Sequence, residues 1–141
     1  MTYAAQADMV DRFGEAELAQ RTNRVDGSSI DPVVLGRALA DADAEIDTYL
    51  ASRYQLPLAV VPEVLVRLAA DMARYHLCGD AAPDLVRQRH LDALALLRRM
   101  GTGEVQLAGG VALTTATGGS GNAVAMRAPQ RVFGPGQLEH Y

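Results

Sequence analysis

The chain has 141 residues, room for one domain with a hydrophobic core and a little more, and 49% apolar residues exclude a disordered composition. A single cysteine, Cys78, excludes an internal disulfide framework and fits a reducing compartment. The net charge is −4 and every Lys/Arg position is arginine, a poor match to sequence-independent DNA binding, which needs a basic face.

Residues Met1 to Val10 contain no basic side chain, so they do not read as a signal peptide. No apolar run is long enough to span a bilayer, and no membrane association is expected. The first helical stretch covers roughly Ala4 to Arg21 and is broken at Gly14 into two short helices. Met9, Val10 and Phe13 form the stripe of the first, and Leu18 lies in the second. A loop follows from Thr22 to Ile30. Asp31-Pro32 then gives an N-cap with proline at the first helical position. The helix it opens is expected to run to about Tyr54. Leu35, Ala38, Leu39, Ala42, Ile46, Tyr49 and Leu50 lie on its inner face, and Asp41, Asp43, Glu45 and Asp47 make its other faces acidic.

Leu56-Pro57-Leu58 and Pro62 mark a tight connection to a helix from Pro62 or Glu63 to near Gly79. Val64, Leu65, Leu68, Ala69, Met72 and Tyr75 form its core stripe; Arg67, Asp71 and Arg74 form a solvated or partner-facing flank. A last helix follows Pro83 and stops at Met100-Gly101. Val86, Ala93, Leu94 and Leu97 line its inner face, and Arg87, Arg89, Arg98 and Arg99 carry its charge.

From Gly101 the composition changes. Nine of the thirteen glycines lie from here on, and between Glu104 and Glu139 the only full charges are Arg127 and Arg131. Val111, Leu113, Thr115 and Thr117 alternate with small residues, a weak strand signal. Gly118 to Asn122 reads as a turn or link, and Val124 and Met126 begin a possible second strand. Disordered tails are usually charged and polar, whereas this stretch is nearly uncharged and dotted with apolar anchors. It is expected to pair with its own domain, a neighbouring copy or another protein. The fold class is therefore mainly α: a small bundle of four to five helices over residues 1–103, with a glycine-rich, partly β or extended arm over residues 104–141.

No chemistry converges in the sequence. Cys78 and His76 are two apart on a helix and point to different faces, so Cys78 reads as a buried structural thiol. His76, His90 and His140 show no ligand spacing. Gly118-Gly119-Ser120-Gly121 lacks the following lysine and the strand-to-helix context of a phosphate loop. The segment Asn23 to Val34 has the outline of a calcium loop. Yet Val25 and Gly27 fall at ligand positions, and Val34 stands where the closing glutamate belongs. Neither enzyme activity nor a cofactor or metal is expected. Residues 1–60 hold ten acids and five arginines, and residues 61–141 hold seven acids and eight arginines. Such a polarity could draw copies together head to tail.

Several motifs carry a family resemblance. They are Tyr3-Ala4 through Gln6-Ala7-Asp8-Met9, Arg12-Phe13-Gly14-Glu15 and Glu17-Leu18, then Ala38-Leu39-Ala40-Asp41-Ala42 and Glu45-Ile46-Asp47. Arg53-Tyr54 with Leu56-Pro57-Leu58, and Asp71-Met72-Ala73-Arg74-Tyr75, follow in the same order, with an echo at Arg131-Val132-Phe133. In these the chain resembles the small head–tail connector, or adaptor, proteins of Mu-like phages and prophages, although it departs from the Asp-rich loop of some members.

The resemblance implies a structural virion protein that assembles in the host bacterial cytoplasm. It would form a homo-oligomeric, dodecameric ring in the neck, between the portal protein and a tail terminator or other neck protein. Genome DNA would pass through the channel without sequence-specific binding. Within that picture, Asp41, Glu45 and Asp47 of one copy are expected to meet Arg87, Arg98 and Arg99 of the next. Arg131, Val132, Phe133, Leu138 and Tyr141 are expected to dock the arm on the portal or a neighbour by edge pairing. The alternative reading is a helical DNA-binding regulator of phage origin, with the 31–54 and 62–79 helices as a helix-turn-helix. Acidic charge and a long, proline-containing connection weigh against it.

Overall fold

The computed structural model describes residues 1–113. The N-terminal segment forms two short helices, α1 (Gln6–Phe13) and α2 (Glu15–Thr22), which meet at Gly14. Gly14 has φ +85°, a left-handed value that a side chain would oppose, so the chain bends there instead of continuing as one helix. Asp8 accepts the Ala5 N–H at 2.7 Å and satisfies one of the free donors at the start of α1.

The long helices follow as α3 (Pro32–Leu50), α4 (Glu63–Cys78) and α5 (Asp84–Thr102). Asp31 caps α3 as its sequence suggests: Oδ1 accepts the N–H groups of Val33 and Val34 at 2.9 and 3.3 Å. The helix stops at Leu50, short of the expected Tyr54. The apolar spacing continues through Tyr54, but that residue is buried from an irregular turn, and its hydroxyl accepts the Leu107 N–H at 3.0 Å. A short 3-10 turn, Gly79–Ala81, links α4 to α5. At the far end of α5, Gly103 takes φ +82° with its N–H on the Met100 carbonyl, and the Arg53 guanidinium occupies the space a Cβ would need.

α3, α4 and α5 run up, down and up, with α1 and α2 laid across α3 and α4. The core is aliphatic, built on Met9, Leu18, Leu35, Ile46, Leu50, Leu65, Met72 and Leu97, all fully enclosed. Apart from Tyr75 and Val86, the expected stripes of α3, α4 and α5 point into it, with Tyr49, Val64 and Leu94 at its margin. A separate small cluster of Cys78, Ala82 and Val86, with Tyr75 against it, closes the turn between α4 and α5.

Among the described residues there is no strand. The alternation at Val111 and Leu113 becomes one antiparallel bridge between Tyr54 and Ala112. Gln55 N–H meets the Val111 carbonyl at 2.9 Å, and Leu113 N–H meets the Arg53 carbonyl at 2.8 Å. The first residues after α5 thus lie on the bundle, anchored by buried Leu107. Thr115, Thr117, Val124 and Met126 lie outside the described residues, as does the rest of the expected arm.

Candidate functional site

The four acids expected on the outside of α3 separate into two groups. Asp43 is buried and accepts the Tyr3 N–H at 3.0 Å, a correction to the solvated face expected for it. The physical reason is the helical period: Asp43 lies four residues after Leu39 and three before Ile46, on the inner stripe. Burial pushes its carboxyl above the usual aspartate range, against the pull of the Tyr3 amide and the N-terminal ammonium. Asp47 accepts the Tyr3 hydroxyl and lies 3.6 Å from the Met1 ammonium. The same arrangement, burial first and Asp47 second, pushes the Tyr3 hydroxyl upward in pKa. Glu45 lies 3.1 Å from His76 Nε2. Asp41 is exposed and makes no ion pair among the described residues. Of the three acids expected to meet a neighbour, Asp41 is therefore the outward one, while Glu45 and Asp47 also serve contacts within the chain.

On α5, Arg87, Arg98 and Arg99 are all exposed. Arg99 pairs with Glu104 at 3.1 Å between two well-exposed side chains, a contact of little energetic weight. Arg87 and Arg98 flank the exposed Leu91 on the same side of the helix. Arg131, Val132, Phe133, Leu138 and Tyr141 lie outside the described residues.

Arg74 departs from its expected outward role. Its Nε and Nη2 donate to the two oxygens of Glu17 at 2.8 and 3.2 Å, and its guanidinium lies 4.5 Å over the Phe13 ring. Arg21 donates to the same Glu17 at 3.0 Å. Burial alone would raise the Glu17 carboxyl, but the hydrogen bonds from Arg74 and Arg21 bring it below the usual range. Arg67 remains exposed. With Arg12 and Arg89 it borders a groove of about 460 Å³ between α1, α4 and α5, floored by Phe13, Leu68 and Leu96. Asp71 lies there 3.9 Å from Arg89. Burial raises its carboxyl pKa in spite of the surrounding arginines.

Cys78 is buried, as expected, with Arg21 Nη1 donating to Sγ at 2.8 Å; burial pushes the thiol up, away from a reactive thiolate. The Asn23–Ser29 loop satisfies its own oxygens. Asp26 Oδ1 accepts from Ser28 N–H, Ser28 Oγ and Asn23 Nδ2 at 3.0, 3.0 and 2.7 Å. Among the described residues no three His, Cys, Asp or Glu side chains converge as metal ligands would, and no helix is long and apolar enough to cross a membrane. The α3–α4 connection runs from Ala51 to Pro62, unlike the short turn of a helix-turn-helix.

Residues 3–126 match the family model described as Bacteriophage Mu, Gp36, most of the chain and all five helices. The chain belongs to the bacteriophage Mu Gp36 family. Two curated relatives agree. The chain is 35% identical over 105 residues to the Mu-like prophage FluMu protein gp36 of Haemophilus influenzae, covering 74% of each chain. It is 34% identical over 106 residues to gene product J of Escherichia phage Mu, again covering 74% of each. The match to the Gp36 family takes in Asp41, Glu45, Asp47, Arg87, Arg98 and Arg99, and ends before Arg131.

Sequence reasoning missed the Tyr3–Asp43–Asp47 cluster, the Arg74–Glu17–Phe13 contact and the meeting of His76 with His90. The signal for Asp43 and His90 was present. Each occupies a core position of its helix, His90 standing four residues after Val86 and three before Ala93.

Proposed function

We propose that this protein is a non-catalytic structural component of a Mu-like phage particle: a head–tail adaptor whose copies form a ring in the neck, between the portal protein and the next neck or tail protein. The observation that carries the reading is membership of a bacteriophage Mu family across the whole helical body. The surface chemistry is compatible with it. Exposed Arg87 and Arg98 on α5 offer guanidiniums that can pair with Asp41 on α3 of the next copy, a heterologous contact of the kind that closes rings. Chain-internal use of Glu45 and Asp47 concentrates the acidic side of that contact on Asp41. A ring of this kind would be dodecameric to match the portal, with DNA passing through and nothing reading its sequence.

The arm supplies the second half of the proposal. At Arg53–Gln55 the chain already enters antiparallel pairing through Val111 and Leu113. Residues beyond can continue in extended form on a partner's strand edge. Arg131, Val132, Phe133, Leu138 and Tyr141 are the proposed anchors on the portal or on a neighbouring copy.

Co-sedimentation with the assembled portal protein of the same phage tests this reading. The full chain is expected to travel with the portal, and a chain cut after Leu113, which keeps buried Leu107 and the Tyr54 bridge, is expected to stay behind. Binding of the cut chain at full strength would remove the arm from the portal contact. Binding by neither would overturn the adaptor reading.

A further inference from the structure

His76 and His90 lie in the seam where α3, α4 and α5 meet. The His90 ring stacks on Tyr75 with centroids 4.0 Å apart and planes 4° from parallel, and the His76 ring stands edge-on at 5.9 Å. His90 is 8% exposed, and its Nδ1 is buried with no hydrogen-bond partner. His76 Nε2 is also buried; its neighbour, Glu45 Oε1 at 3.1 Å, is badly placed for a hydrogen bond. The two imidazoles therefore share a junction in which Nδ1 of His90 is closed off from solvent and faces no acceptor from the chain for a proton placed there.

The charged and titratable groups around them are few. Glu45 of α3 and Tyr75 of α4 face the pair, and the groove beside His76 carries Arg21, Arg24, Arg37 and Asp41. Glu45 favours the charged form of His90 but is outweighed by burial, and it lies nearer His76. Burial and the neighbouring His76 both hold His90 neutral, and its pKa is lowered accordingly. The Tyr75 face would welcome a cation, but a stacking gain is smaller than the cost of a buried charged N–H with no acceptor.

His90 also stands at a boundary in the packing. The helix beyond it, through Ala93, Leu97 and Met100, belongs to the main core. The segment before it, through Ala82 and Val86, rests on the small separate cluster with Cys78. We propose that this seam is an acid-operated latch: protonation of His90 detaches the α4–α5 turn and the first two turns of α5, residues 79–90, while the remaining bundle stays folded. The detached stretch carries exposed Leu85 and Arg87, so acid would withdraw that surface from any partner. The latch belongs to the single chain and does not depend on the adaptor reading.

Hydrogen–deuterium exchange on the full chain, corrected for intrinsic rates, tests it. Between about pH 7.5 and about pH 5.5, amides 79–90 are expected to lose several-fold, up to about ten-fold, in protection relative to the centre of α3. In His90→Phe, which keeps the stack and cannot titrate, the loss should shrink to about two-fold or less. Equal loss across all helices, or an undiminished loss in the variant, would overturn the proposal. Should the variant not fold, NMR titration of the wild-type His90 ring replaces it. Ring protonation should coincide with the local loss of protection, and protonation with amides 79–90 unchanged would refute the latch.

Discussion

Arg74 shows how much one side chain can hold together in this molecule. It ties α4 to α2 through both oxygens of Glu17 and to α1 through the Phe13 ring, and its own side chain is only 16% exposed. Removing one partner of such a pair leaves the other poorly solvated, which costs more than the pair contributes net. Arg74→Met, which keeps the stem and loses the fork, is therefore expected to destabilise the fold by roughly 1–3 kcal/mol. Arg74→Lys should recover only part of this, because an ammonium cannot bridge both oxygens while lying flat on the ring. Chemical denaturation of the two variants measures both losses; equal stability of Arg74→Met and wild type would show that the contact is ornamental.

The helices give a sharper test, since two glycines inside them face opposite conditions. Gly36 sits in α3 with open space where a Cβ would be. Gly36→Ala should stabilise by about 0.5–1 kcal/mol through helix propensity and lower unfolded-chain entropy. Gly101 lies in the last turn of α5, where a Cβ would come within 2.7 Å of the Tyr49 carbonyl oxygen. That atom is backbone at the end of α3 and cannot step aside, so Gly101→Ala should destabilise by roughly 1–3 kcal/mol in spite of the same propensity gain. Thermal melts that move in opposite directions for the two variants would confirm the close approach of α3 and α5.

Elements set by adjacent residues were legible in advance. Asp31-Pro32 and the break at Gly14 each act within one turn, so the sequence alone places them, whereas α5 runs past the expected stop at Met100-Gly101 to Thr102 and is closed by Gly103. The end of α3 was not legible, because Tyr54 keeps the helical spacing of Ile46 and Leu50 yet is buried from outside the helix. The inward turn of Asp43 and Arg74 was hidden for a different reason. Their partners, Tyr3 and Glu17, lie 40 and 57 residues away in the chain, a pairing that no local pattern records. Of the surface chemistry, the arginines of α5 were read correctly as exposed, whereas the acids of α3 were read as solvated on its outer faces and proved to be mostly engaged.

At the scale of the whole molecule, the buried titratable groups fix how stability responds to pH. His90 has a lowered pKa in the fold, so below the ordinary histidine value of about 6.5 the unfolded chain takes the proton first. Its contribution is complete above that value and is lost as pH falls through the folded pKa. Asp43 and Asp71 have raised pKa values, so they work the other way in the lower window, where the fold binds protons before the unfolded chain does. Glu17, with a lowered pKa, withdraws its support only below the ordinary carboxylate range. The melting temperature should therefore drop between neutrality and mild acid, and His90→Phe should flatten that drop. A wild-type profile level across this window would contradict the buried imidazole.

The reading of the molecule as a ring-forming neck adaptor meets its most direct test in an absolute mass. Light scattering of the full chain mixed with the assembled portal protein of its own phage gives the number of copies bound per portal. The account predicts one chain per portal subunit, a dodecameric ring on a dodecameric portal. A full chain that remains free beside intact portal assemblies, or binds without saturating at that ratio, would contradict it.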